Sequence, residues 1–201
     1  HLASMLGLVE VVLDRYGRDN ISPGDMLLSN DPFVGRGSHL PDVAILAPVF
    51  REDELVMFVS NIAHHSDIGG MAPGSMAGGM TEIYQEGLRI PPIRIAKNHE
   101  ILDDVLDLVL LNVRVPAERK GDYMAQIAAN KLGTRRLKEL FTKWTREQIS
   151  EGCTGIIEAV TRRMRAGIAD LPDGKYEFID VLDDDGMGTT NIPICVKIDI
   201  Q

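Results

Sequence analysis

Val43-Ala44-Ile45-Leu46-Ala47-Pro48-Val49-Phe50, then Arg51-Glu52-Asp53-Glu54, then Leu55-Val56-Met57-Phe58-Val59-Ser60-Asn61-Ile62-Ala63: two apolar runs on either side of a polar tip. That pattern predicts a β-hairpin. In an antiparallel pair the start of one strand lies beside the end of the other. The flanks of this hairpin therefore meet at one end of the sheet, and both carry chemistry. Gly37-Ser38-His39-Leu40-Pro41-Asp42 leads in, and His64-His65-Ser66-Asp67-Ile68-Gly69-Gly70 leads out. The chain has five histidines, and three of them fall here, set among acids and turn residues. Imidazole and carboxylate form a nitrogen/oxygen ligand set suited to Mn, Zn or Fe. His39, Asp42 and His64 are the expected metal ligands. His64 and His65 are adjacent and leave a strand on opposite faces, so only one is expected on the ion. His65 then reads as a substrate contact, a proton carrier or a capped turn histidine.

Working outward, residues 4–16 have helical apolar spacing and Gly17 as a stop. Met26 to Ser29 reads as a short buried strand, and Leu88 to Ala96 as a strand broken by Pro91-Pro92. From 101 the period becomes helical. One helix is expected to end before Pro116. A second passes Met124 with a weak point at Gly133, and a third runs from Ile149 to Ile168. Tyr176 to Leu182 and Ile192 to Ile200 read as strands around a hairpin turn, Asp183-Asp184-Asp185-Gly186. The charge-rich stretch from Lys131 to Arg146 reads as a solvated helix face. The expected class is α+β, a hairpin-containing mixed sheet with a helical segment over about 101–170. The expected regions are 1–100 (β-rich, with the metal site), 101–170 (helical) and 171–201 (the start of a further β region). A first residue other than Met and a last residue inside a strand suggest a fragment of a larger subunit.

Three further acids are candidates. Asp31, in Ser29-Asn30-Asp31-Pro32, reads either as a ligand or general base, or as a turn cap. Asp67 reads in the same way as a turn cap, or as an outer group orienting a ligand imidazole. Glu86, in Gln85-Glu86-Gly87, reads as a proton-transfer group or an ordinary surface acid. The glycine-rich stretch 69–80 lacks the endings of phosphate-binding loops and reads as a mobile or closely packed cover over the site.

Composition narrows the classes. The 201 residues carry a net charge of −9, which argues against nucleic acid or an anionic membrane as partner. No apolar run is long enough for a membrane span. Cys153 and Cys195 are far apart with no paired spacing, which suggests buried thiols in a reducing, cytoplasmic setting.

Taken in order, several motifs resemble one family. They are Ser-Asn-Asp-Pro-Phe (29–33), Gly-Ser-His-Leu-Pro-Asp (37–42), Ala-His-His-Ser-Asp-Ile-Gly-Gly (63–70) and Pro-Gly-Ser (73–75). Gln-Glu-Gly-Leu-Arg-Ile-Pro-Pro (85–92), Asn-Val-Arg-Val-Pro (112–116), Gly-Asp-Tyr-Met-Ala-Gln (121–126) and Leu-Pro-Asp-Gly (171–174) continue the series. Together they resemble the hydantoinase B/oxoprolinase family, whose members include N-methylhydantoinase and 5-oxoprolinase B-type subunits and acetone and acetophenone carboxylase subunits. The resemblance implies a longer chain. It implies a hydantoinase A-type, actin-like partner that uses ATP to phosphorylate a carbonyl or enolate oxygen, within a hetero-oligomer. By the carboxylase branch, it implies manganese on His39, Asp42 and His64. The expected activity is ATP-dependent hydrolysis of a cyclic amide, a hydantoin or 5-oxoproline, with Asp31, His65 or Glu86 moving protons. The alternatives are a carboxylase subunit, and an assembly module with a structural ion.

Overall fold

The computed structural model describes residues 2–201, which divide between residues 140 and 141 into two compact units. The first unit contains helix α1 (Leu2–Tyr16) and strands β1 (Met26–Ser29), β2 (Asp42–Arg51) and β3 (Glu54–His64). After these come β4 (Ile93–Lys97), β5 (Glu100–Ile101), α2 (Asp103–Leu111) and most of α3 (Pro116–Phe141). The strands form one sheet in the order β3-β2-β1-β4-β5, antiparallel at every pairing. The α+β class is as expected. Within it, each strand meets its neighbour antiparallel, β2–β3 and β4–β5 through two-residue turns and β1–β2 and β1–β4 across longer connections.

Alternation along β2 assigns its two faces. Val43, Ile45 and Ala47 pack with Tyr123 and Ile127 of α3 and with Leu106 and Val109 of α2. Ala44 and Leu46 pack with Leu8 and Val12 of α1. The sheet is therefore covered by α1 on one side and by α2 and α3 on the other. The hairpin closes through Glu52-Asp53, with Arg51 opposite Glu54 and Glu52 at φ 54°.

Two details differ from the sequence reading. The expected strand over 88–96 begins only at Ile93. Pro91 and Pro92 supply no N–H to a ladder, so the chain before them runs as a connector. Gly133 does not weaken α3. A Cβ there would stand 2.8 Å from Val59 Cγ1, so the glycine is what lets the helix lie close on β3. As expected, α2 ends before Pro116, which opens α3, where its missing N–H has no helical partner to lose.

The second unit holds α4 (Arg146–Ala169) and the hairpin of β6 (Gly174–Asp184) and β7 (Thr190–Ile200). Thr145 and Gln148 form a reciprocal capping box at the start of α4. Ile156, Val160, Met164, Phe178 and Val196 are all exposed. Cys153 and Cys195 are also exposed and free, not buried as expected, because they sit on this unit's open apolar faces. Among the described residues no helix is long and apolar enough to cross a membrane.

Candidate metal centre

The register of the hairpin places Asp42 directly opposite His64. Opposed residues of an antiparallel pair share a face, so both side chains stand on the α1 side of the sheet. His39 reaches the same point from the preceding turn, where the Asp42 N–H donates to the His39 carbonyl at 3.1 Å. His39 Nε2 lies 2.9 Å and His64 Nδ1 3.0 Å from Asp42 Oδ1. The two imidazoles stack at 5.1 Å between centroids. The three ligand atoms lie within 4.8 Å of one another.

These residues fit a divalent ion of the Mn, Zn or Fe type. Ligands at zinc-like distances in a tetrahedral shell stand about 3.4 Å apart, so small rotations of the rings open the cluster around an ion. Asp42 is 2% exposed, whereas His64 is 48% exposed. The site is thus anchored at its carboxylate and open at its imidazoles. Burial pushes the Asp42 carboxyl up. The Ser38 hydroxyl, donating at 2.6 Å, and the His64 and His39 rings outweigh that and hold it below the ordinary carboxylate range. The carboxylate is ionised before any cation arrives.

The loop carrying His39 is fixed by Asn30. Its Nδ2 donates to the carbonyls of Leu40 and Leu88, and its Oδ1 accepts from the Ile90 N–H. Next to it, Asp31 is committed to structure. Oδ1 accepts from the Phe33 and Val34 N–H groups, and Oδ2 accepts from Arg89 Nε at 2.7 Å. Burial raises the Asp31 carboxyl, but the Arg89 bond and these amides hold it low. A carboxylate so engaged is a poor general base, and Asp31 takes the turn-capping alternative.

His65 also departs from its expected role. It points to the α3 side, is 1% exposed, and packs against Tyr123 at 4.4 Å between centroids. Gln126 Nε2 donates to the Val43 carbonyl, so Gln126 Oε1 faces His65 Nε2 and the imidazole donates there at 2.9 Å. Burial keeps this ring neutral by lowering its pKa. Nothing brings it to the His39–Asp42–His64 face.

Asp67 does not orient an imidazole. Its Oδ1 accepts from the Gly69 and Arg114 N–H groups, and its Oδ2 from the Gly74 N–H and Arg114 Nη1. Burial raises this carboxyl too, and the three amides with Arg114 pull it below the usual range. Arg114 also donates to the carbonyls of Gly69, Gly70 and Ala72. The buried Ser75 hydroxyl bridges the Ile68 N–H and the Gly69 carbonyl. At Gly70, φ is 81° and a Cβ would stand 2.3 Å from the Gln85 carbonyl. The first half of the 69–80 stretch is therefore a closely packed loop, the second of the two forms expected.

Its second half borders a cleft of about 430 Å³ lined by His39, Ser75, Met76, Ala77, Met80 and Glu86. Of the three acids outside the cluster, Glu86 is the one that shares a cleft with His39. Ser38, Arg114 and Gln126 were not singled out from sequence. Ser38 had a weak local signal beside His39. Arg114 and Gln126 act on residues more than 40 positions away and had no local signal, only a place in the motifs 112–116 and 121–126.

The sequence profile of the hydantoinase B/oxoprolinase family matches residues 1–201. The chain belongs to this family. It is similar to the beta subunit of caprolactamase from Pseudomonas jessenii, with 36% identity over all of this chain and 34% of that protein. It is also similar to the B-type subunit of a putative D-/L-hydantoinase from Pseudomonas sp. strain NS671, with 34% identity over 96% of this chain and 33% of that protein. The crystal structure of ATP-dependent caprolactamase from Pseudomonas jessenii superposes with a TM-score of 0.89 at 36% identity, over 100% of this chain and 34% of that one. The chain thus spans about a third of the length of these two relatives.

Proposed function

We propose that this chain is the metal-holding part of a B-type subunit in an ATP-dependent cyclic amide hydrolase. Its substrate would be a hydantoin, or 5-oxoproline or a similar lactam. The observation that carries this is the opening of the His39–Asp42–His64 cluster, through His39, into the cleft that also holds Glu86. His39, Asp42 and His64 would hold a divalent ion of the Mn, Zn or Fe type. Bound there, such an ion supplies Lewis acidity and lowers the pKa of water.

The chain's own residues do the rest. Asp42 fixes negative charge at the base of the site. Ser38 keeps that carboxylate from rotating. Glu86 faces the cleft and carries a proton towards the departing ring nitrogen. Met76, Ala77 and Met80 give the ring carbons an apolar wall. The half-exposed His64 favours this over a structural ion, which protein ligands would enclose. The partner in this reading is a hydantoinase A-type subunit that uses ATP to activate the carbonyl, in a soluble cytoplasmic hetero-oligomer. The relatives' names, a caprolactamase subunit and a putative hydantoinase subunit, support it.

The test uses the full-length subunit with its partner. Plasma mass spectrometry is expected to find about one Mn, Zn or Fe per chain, lost in His39→Ala/His64→Ala. With ATP, a panel of hydantoin, 5-oxoproline, caprolactam and acetone should show turnover of a cyclic amide. No metal in the intact complex, or turnover of the ketone alone, refutes the reading.

A further inference from the structure

A second cavity lies away from the metal cluster, towards the turn end of the hairpin, at the β2 edge that β1 leaves uncovered. It has a volume of about 290 Å³. It exists because β1 is short. β1 pairs with β2 only as far as Leu27 opposite Leu46, so β2 runs on past its neighbour. Met26, Ala47, Pro48 and Phe50 form the apolar wall left there. Five strand residues, about 17 Å, separate Ala47 from Asp42.

α3 closes the other side, and its registration on β2 is regular. Gln126 Nε2 donates to the Val43 carbonyl at 2.9 Å, and Asn130 Nδ2 donates to the Ile45 carbonyl at 2.8 Å. Four helical residues rise about 6 Å and two strand residues about 6.6 Å, so the two periods keep step. The next rung is Thr134 with Ala47, and there the ladder stops. Both residues line the cavity, and Thr134 Oγ1 is buried with no hydrogen-bond partner. Asp25, 2% exposed and also lining the cavity, has a second orphaned atom, Oδ1. Its other oxygen is held by Arg94 at 3.0 Å, which offsets its charge. Buried polar atoms without partners are uncommon, and two bordering one cavity point to a ligand.

The charge at the cavity gives the ligand's sign. Lys131, Arg135 and Lys138 follow at i, i+4 and i+7 on the helix face that bears Thr134, and all three line the cavity. Among the described residues no ion pair reaches Lys131 or Lys138, and the nearest carboxylate to Arg135 is Glu139 at 3.8 Å. Three cations gathered on one helix face stand out in a chain of net charge −9. The expected solvated face is thus also one wall of a cavity.

We propose that this cavity binds a small organic oxyanion, a carboxylate or phosphate on an apolar body that also carries an N–H or O–H. The oxyanion lies against Lys131, Arg135 and Lys138, with Thr134 as a further donor. The apolar body rests on Met26, Pro48 and Phe50, and the N–H or O–H donates to Asp25 Oδ1. The inference is independent of the metal reading.

The test is calorimetric titration of the full-length protein in its complex with three probes. N-acetylvaline is a carboxylate with an N–H, phenyl phosphate is a phosphate monoester, and N-acetylvalinamide is the uncharged control. At least one anion is expected to bind saturably and better than the amide, and the anion preferred identifies the source. Lys131→Ala/Arg135→Ala is expected to weaken that binding by roughly tenfold or more, with unchanged metal content. Thr134→Val is expected to weaken it severalfold while leaving the melting temperature unchanged or raised, since an orphaned hydroxyl is removed. A purely structural Thr134 would not separate those readouts. No anion binding, equal binding of the amide, or anion affinity unaffected by the double variant overturns the proposal.

Discussion

Replacing Asp67 by Asn separates two readings of that acid. In the structure, Oδ1 accepts from the Gly69 and Arg114 N–H groups, and an amide oxygen keeps both bonds. Oδ2 accepts from the Gly74 N–H and Arg114 Nη1, and an NH2 group there accepts neither. Two charge-assisted bonds are therefore lost. At about 1.5–3 kcal/mol each, discounted because the Arg114 side chain is 40% exposed, the local cost is about 2–4 kcal/mol. Peptide-resolved hydrogen exchange of the full-length protein should show residues 67–75 exchanging roughly thirty- to several-hundred-fold faster. Metal content should not change, since Asp67 touches none of the three ligands. The other reading offered by the sequence, in which Asp67 orients an imidazole, requires the opposite pattern. Metal loss with protection of 67–75 intact would refute the structural assignment. The pH dependence has a definite sign. The Asp67 carboxyl is held below its ordinary 3.8, so its stabilisation is complete above that value and is lost as pH falls through the lower folded value. The gap in melting temperature between wild type and Asp67→Asn should be constant near neutrality and shrink only in acid below about pH 4.

The adjacent histidines should separate by assay. His64→Ala is expected to lose metal, with the melting temperature of the metal-free protein nearly unchanged. His65→Ala is expected to keep metal while losing about 2–4 kcal/mol, because it leaves a void beside Tyr123 and Gln126 Oε1 without its donor. Gly133→Ala should lower stability by up to about 2 kcal/mol, as contact with Val59 outweighs the gain in helix propensity. In a Val59→Ala background the same change should be neutral or stabilising, as read from thermal unfolding of both pairs.

What the sequence determined by itself was whatever depends on neighbours along the chain. The polar tip between two apolar runs fixed the hairpin, and antiparallel pairing then fixed that His39, Asp42 and His64 meet. Period-2 alternation also sufficed to say that His64 and His65 diverge. It did not say which of them faced the open side, because that depends on which helix covers which face of the sheet. Tertiary structure decided the remainder. Asp31 and Asp67 look like chemistry in isolation, and only Arg89 and Arg114, 58 and 47 residues away, show them holding turns. Gly133 reads as a break until Val59 is seen against it. The cations of α3 read as a solvated face until β1 is seen to stop short beneath them. In each case the deciding partner is distant in sequence, and side-chain hydrogen bonding and close packing across such distances leave no periodic trace in the chain.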